Sequence, residues 1–548
     1  MKSFFIFTSI LSLGFSATAE LKTSAQYWAE TGINFEFVGQ FLDQSCQKSA
    51  TNFVACVQTM NVVAGSLSPA AIFAAPGEAN VAGTKIGALV KSYGPLNLHR
   101  VNKLDASKNL TNLWQQVLRE RKAQIAAATQ IFNNGSSAKI QFSAILMELR
   151  PQVLMGEQAN SEGLIAGNMI NAYLASAVDP HTHLDPVQKF LDEEKSTNEN
   201  FAGVGAIIST IGGTFIIKTP MEGSPALKAG IRARDIIESI DGVPVTSLPI
   251  DGVISRIRGA VGSTVTFGII RNGRHLRIPV VRAIIEIPNV QAKLVTEARI
   301  PYGYIKLHNF MDDSSCDSIA ASLTELQGQG AKGMILDLRD NGGGLLEQSV
   351  CIGSLFVGKQ VIVKVKSVKG DGGFQDFVGS REQLTQLPMV TLINADSASA
   401  SEILSGALQD YQRSWIVGAT SFGKATVQAP LRQTWSDKVV LFATIERFYE
   451  PSGRTNQIVG IVPDFTVDPK PHASEDDKFA IREADYYTNA LPPLGQAWTE
   501  PRPQEVAHIE ACMSRDGLAE RIYEERQNDA IEPDYQLYSA ESVLSCDK

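Results

Sequence analysis

The chain of 548 residues has little of what several common chemistries need. Histidine occurs only 7 times and no His-Glu-x-x-His run is present, so a helical metalloprotease site has no ligands to build from. The six cysteines never fall at Cys-x-x-Cys spacing, which argues against a structural zinc module and a thioredoxin-type redox centre. Basic residues are in deficit. The 49 Lys and Arg face 58 Asp and Glu, giving a net charge of −9 and a pI near 5.5. That balance builds no phosphate-neutralising surface, so no nucleic-acid partner is expected. No run after residue 20 is long and apolar enough to span a bilayer. Hydrophobic residues at 44% and charged residues at 20% are ordinary for a globular protein. The length exceeds one core, so several domains are expected.

The N-terminus stands apart. Lys2 supplies a positive start, Phe4 to Phe15 an apolar run, and Ala17-Thr18-Ala19 a small-residue cleavage site before Glu20. The pattern predicts a secretory signal peptide over residues 1–19, with no following cysteine to take a lipid. The mature chain is expected to be soluble and exported, in a bacterial periplasm. Export permits disulfides, and the cysteines fall into sequence-local couples: Cys46/Cys56, Cys316/Cys351 and Cys512/Cys546. Buried free thiols are the alternative.

Residues 20–195 read as a helical N-terminal region, with apolar helical spacing over Leu110–Phe132 and Ala138–Leu154. The run Asp179-Pro180-His181-Thr182-His183 marks a turn; its two histidines lack a ligand cluster, so a hydrogen-bonded hinge is preferred to a metal site. From Phe201 the pattern changes to short strands with glycine turns. Ala206–Ser209 and Thr214–Lys218 flank Gly212-Gly213, Asp235–Ile240 precedes Asp241-Gly242, and Val265–Arg271 and Leu276–Val281 flank Asn272-Gly273. Between them a short helix carries Ile250, Val253, Ile254 and Ile257 on one face.

Together with Ser224-Pro225-Ala226 and Ala229-Gly230-Ile231, this stretch over residues 203–285 resembles a PDZ domain of the bacterial protease-associated type. The resemblance implies that a peptide C-terminus adds as a strand, its carboxylate held by the Gly203-Val204-Gly205-Ala206 loop. Ile250, Ile254 and Ile257 would form the other wall of that groove. Tight turns and plain core packing explain the same residues without a ligand.

Residues 286–468 alternate strand and helix, the pattern of a buried, mainly parallel sheet. Residues 469–548 form a charged tail, helical in part, in which no chemistry is legible. The informative stretch runs from Asn394 to Gln428. Small residues surround Ser399 at a strand-to-helix junction, where a helix start points N–H groups at the reaction centre. Lys424 lies in a glycine-flanked turn beyond the next strand. A serine hydroxyl needs a proton acceptor, and burial can free a lysine amine to be one. The amides of Ala400 and of Gly343 or Gly344 are candidate oxyanion donors, with Phe422, Val427 and Trp415 candidates for keeping the lysine dry.

Three segments carry a second resemblance: Leu336-Asp337-Leu338-Arg339-Asp340-Asn341-Gly342-Gly343-Gly344, Ser397-Ala398-Ser399-Ala400-Ser401-Glu402, and Phe422-Gly423-Lys424-Ala425-Thr426-Val427-Gln428. They resemble, in order, the carboxy-terminal processing protease family of serine proteases with a PDZ domain. The resemblance implies a crotonase/ClpP-like α/β protease core with the PDZ domain inserted ahead of it. It also implies Ser399 as nucleophile, Lys424 as general base 25 residues downstream, and Gln428 as the residue orienting the amine. Gly342 and Ala425 stand where many relatives have proline and glycine. The implied protein is an exported, ATP-independent endopeptidase, without metal or cofactor, that trims or degrades envelope proteins from apolar C-termini. An adaptor protein and a homo-oligomer are further partner expectations. A triad using His308 is the chemical rival, and an inactive PDZ scaffold the functional one.

Overall fold

The computed structural model describes residues 24–547 apart from 68–70, 75–86, 94–95, 101–109, 155–161, 190, 192–200, 212–213, 222, 234, 246–249, 272, 286–287, 297–299, 371, 433–435, 476, 487–488, 495–501 and 527–532. The expected signal peptide lies outside the described residues. Among them, no helix is long and apolar enough to cross a membrane.

The N-terminal region contains helices Ser24–Thr31, Phe35–Ser45, Ala50–Leu67, Leu110–Asn133, Phe142–Leu154 and Glu162–Ala177. They pack round Phe35, Leu42, Phe53, Met60, Phe142 and Leu146. The helix expected from Ala138 begins instead at Phe142, because the Asp43 carboxylate accepts the Phe142 N–H at 2.7 Å and caps it there. The purely helical expectation also misses a three-stranded antiparallel sheet of Ala71–Ala74, Gly87–Tyr93 and Leu96–Arg100. Pro69 and Pro76 bracket the first strand and bar helix there.

The PDZ-type sheet runs, edge to edge, Arg274–Val281, Thr264–Arg271, Ile236–Ile240, Thr214–Pro220 and Ala206–Ile211. Ile211 pairs with Thr214 as the hairpin reading expects, although the glycines between them lie outside the described residues. Among the described residues, Ala206–Ile211 is thus an edge strand with an open hydrogen-bonding side. In the helix Ile250–Ile257, Val253 and Ile257 turn into the domain core, so Ile257 packs there rather than against a ligand. Ile254 is half-buried.

The protease core is a six-stranded sheet in the order Val290–Val295, Tyr302–Leu307, Met334–Asp337, Met389–Ile393, Trp415–Gly418 and Phe465–Thr466. All neighbours are parallel except the first pair. Met334–Asp337, Met389–Ile393 and Trp415–Gly418 are buried at every position, as strands covered on both faces must be. One cover comes from the helices Ser315–Gly328, Leu346–Val357 and Ala400–Asp410. The other comes from the tail: Ile509, Leu537, Ala540, Val543 and Leu544 pack on Ile335, Val390, Leu392 and Val417. The tail is therefore a layer of the core rather than an appendage. Arg339 ties it down, donating to Asp337 and to Asp534, each at 2.7 Å.

A second, antiparallel sheet was not legible as such in sequence. It orders Gln375–Val378, Val361–Ser367, Val439–Tyr449 and Thr426–Arg432. His183–Pro186 joins it on Val439–Tyr449, so the N-terminal region ends inside the protease sheet. All three expected cysteine couples are disulfides.

Candidate active site

Ser399 sits at the start of the helix Ala400–Asp410 with φ +56°, a left-handed conformation that costs a non-glycine residue free energy and persists only where neighbours enforce it. The neighbours are visible. Ser397 Oγ donates to Leu338 O and Ser401 Oγ to Asn341 O, each at 2.8 Å, and Ala398 N donates to Asn341 O at 3.0 Å. These bonds clamp the serine loop to the glycine loop that follows the strand Met334–Asp337. Gly343, at φ +102°, lies so close that a Cβ would stand 2.9 Å from Ser399 Cβ and 2.8 Å from Ala398 O. No residue with a side chain fits.

The Gly343 N–H donates to Asn341 Oδ1 at 2.9 Å. It is therefore engaged, and the oxyanion role allowed to it in sequence does not hold in this geometry. The Ala400 and Gly344 N–H groups make no hydrogen bond among the described residues.

Glu402 connects the serine to the lysine, and sequence reasoning gave it no role. Its fully buried carboxylate accepts Ser399 N and Lys424 N at 2.9 Å each on one oxygen. The other oxygen accepts Ser421 Oγ at 2.5 Å and Gly423 N at 2.7 Å. Burial pushes the Glu402 carboxyl above its ordinary value, and these donors pull it back. One side chain thus fixes the register of both loops. The E in the Ser-Ala-Ser-Ala-Ser-Glu run, three residues into a helix, was the available signal.

Lys424 is held by its backbone. Besides Glu402, Asn456 Nδ2 donates to Lys424 O at 3.2 Å, and Gln457 Oε1 accepts Ala425 N at 2.8 Å. Burial lowers the Lys424 amine from its usual value, while Glu483, Glu402 and Asp179 act the other way. Among the described residues, no hydrogen bond joins its amine directly to the Ser399 hydroxyl. Gln428 lies on the strand Thr426–Arg432. Its Nε2 donates to Thr426 Oγ1 at 2.9 Å and to Thr444 Oγ1 at 3.1 Å, and Thr444 donates to Asp179 at 2.8 Å.

Lys424 and Gln428 line one cleft of about 470 Å³ with Asn171, Ala172, Ala175 and the turn Pro180–His183. That turn, read from sequence as a hinge, is a cleft wall. Asp179 caps it through His181 N and Thr182 N, at 3.0 and 3.1 Å. Trp415 does not shield the lysine; it packs against Phe465 and under Arg502 of the tail. His308, the rival base, is half-buried beyond the strand Tyr302–Leu307, and burial lowers its pKa.

A serine at an enforced helix start, a half-buried lysine and a glycine loop at the ends of parallel strands define a serine-peptidase type of site. The model of Peptidase family S41 matches residues 301–467, and a PDZ domain model matches residues 216–271. The carboxy-terminal-processing protease of Bartonella bacilliformis is 34% identical over 309 residues, covering 55% of this chain and 69% of that protein. The carboxyl-terminal-processing protease of Picosynechococcus sp. is 33% identical over 306 residues, covering 55% and 73%. The solved photosystem II D1 C-terminal processing protease shares 27% identity at a TM-score of 0.42, covering 59% of this chain and 87% of that one. This chain belongs to the carboxy-terminal-processing protease family, and it is a serine peptidase with a PDZ domain.

Proposed function

We propose that the protein is an exported, ATP-independent endopeptidase with a Ser399/Lys424 dyad, acting in the periplasm on envelope proteins that it takes by apolar C-termini. The observation that carries the dyad is the Glu402 carboxylate, which binds the Ser399 and Lys424 backbones through a single oxygen. Ser399 Oγ attacks the scissile carbonyl while the neutral Lys424 amine takes its proton. Gln428, its Nε2 engaged by Thr426 and Thr444, offers Oε1 to orient that amine. The oxyanion is received by the Ala400 and Gly344 amides, a pair in which each donor typically contributes about 10²–10³ in rate. The lysine ammonium returns its proton to the leaving amine, and water then hydrolyses the acyl-enzyme.

The open edge of Ala206–Ile211, directly after the Gly203–Ala206 loop, supports strand addition of the substrate tail at the PDZ domain. The decisive experiment is cleavage of a labelled unfolded protein by Ser399→Ala. Loss of cleavage with retained binding of an apolar C-terminal peptide supports the reading; cleavage at the parental rate refutes it.

A further inference from the structure

The tail contributes more than a cover. Arg482 and Glu483 run beside the loop 421–424 and grip it at several points. Glu483 N donates to Phe422 O at 3.0 Å. The Arg482 guanidinium donates to Ser421 O, Ile458 O and Val459 O at 2.7, 3.1 and 2.5 Å. The Glu483 carboxylate, fully buried, meets His181 Nε2 at 2.9 Å through both oxygens. It also accepts Gln457 Nε2 at 3.2 Å, and Gln457 holds the amide next to Lys424 through Ala425 N. Glu483 therefore joins the cleft wall, the lysine loop and the tail.

Its charge acts on the amine. Among the carboxylates acting on Lys424, Glu483 acts most strongly, ahead of Glu402 from the serine helix and Asp179 from the turn. The other charged or titratable groups about this cluster are His181 and His183 on the turn, and Arg482 and Asp485 on the strap of tail residues 482–485, where Asp485 accepts the Arg482 N–H at 3.2 Å. A buried carboxylate whose only job was to staple segments together needs no lysine amine within its field.

We propose that Glu483, held by His181 and Gln457, is a positioning residue for Lys424, fixing the loop that carries it. The inference rests on Lys424 being the general base. Two opposite displacements follow. Removing the Glu483 charge favours the neutral amine, so the acid limb of kcat/KM moves to lower pH. Removing His181 takes one of the carboxylate's two side-chain partners, strengthens its hold on a protonated lysine, and moves the limb to higher pH. Each displacement is expected at about half to one pH unit, the scale of one partly compensated charge at low effective dielectric.

The test uses the full chain, labelled casein as substrate, and Glu483→Gln, Glu483→Asp and His181→Leu, each profiled for kcat and KM against pH. Support is a downward shift in Glu483→Gln carried in kcat with KM unchanged, return toward the parental profile in Glu483→Asp, and an upward shift in His181→Leu. If Glu483→Gln does not fold, a near-parental limb in Glu483→Asp together with an upward shift in His181→Leu decides alone. An unmoved acid limb in Glu483→Gln and His181→Leu, or shifts of the same sign in those two, overturns the positioning role. Lys424→Ala run alongside separates the two readings: inactive Lys424→Ala with an unmoved limb refutes only the strap, whereas parental activity in Lys424→Ala refutes the base.

Discussion

Replacing Glu402 with glutamine tests how the two catalytic loops are held together. The carboxylate accepts four donors, Ser399 N, Lys424 N, Gly423 N and Ser421 Oγ, two on each oxygen. An amide keeps one oxygen and turns an N–H₂ toward the other two donors, so two bonds are lost. Hydrogen bonds to a charged acceptor contribute about 1.5–3 kcal/mol each, giving roughly 3–6 kcal/mol gross. Burial already disfavours the charged form of Glu402, so a neutral side chain recovers part of this, leaving on the order of 2–4 kcal/mol. That corresponds to a fall in Tm of about 5–12 °C for a domain of this size. Misplacing the serine and lysine loops by an ångström also lowers kcat about 10²-fold. Thermal unfolding and kcat on a labelled unfolded protein read both effects. A variant with parental Tm and parental kcat would refute the bridging role.

Three further outcomes follow from the same geometry. Gly343→Ala places a methyl 2.8 Å from Ala398 O at φ +102° and is expected to lower kcat about 10²-fold, whereas Gly342→Ala, with nothing within 4 Å, stays near parental in the same assay. Glu450 is buried with neither carboxylate oxygen hydrogen-bonded among the described residues, and burial pushes it up to about 8. Its native pKa lies above the unfolded one, so its contribution is full below about pH 4.5, falls as pH rises to about 8, and is level beyond. Glu450→Gln should therefore stabilise by a few kcal/mol at pH 8 and hardly at all at pH 4.5, read by denaturant unfolding at both. Replacing Cys512 and Cys546 with serine opens a bridge of sequence separation 34 between two tail helices that cover the sheet. The expected loss is up to about 4 kcal/mol by loop entropy, read as a lower unfolding midpoint in non-reducing buffer.

Much of the core was legible because its residues obey one rule at a time. The all-buried runs Met334–Asp337, Met389–Ile393 and Trp415–Gly418 announce parallel strands, and the cysteine couples lie close enough in sequence to suggest their pairing. The Ser399 and Lys424 loops were legible as family motifs. Relations between distant segments were not. Glu483 reads as one more acid in a charged tail, yet it reaches His181, 302 residues away. Trp415 was assigned to the lysine because it precedes it closely in sequence, but its strand turns that side chain to the tail helices. Gln428 lies four residues from Lys424, a spacing that a helix and a strand share, and only the pairing of Thr426–Arg432 with Val439–Tyr449 settles which it is. Gly343 looked like a free amide until the Asn341 side chain was seen to occupy it.

The central claim is that a neutral Lys424 amine removes the Ser399 proton. The most direct measurement is kcat/KM of Lys424→Ala and Lys424→Arg on a labelled unfolded protein near neutral pH, beside parental enzyme. A loss of about 10²–10⁴-fold in both, as expected for removal of a general base, is the predicted result. Cleavage by either variant at the parental rate would contradict it.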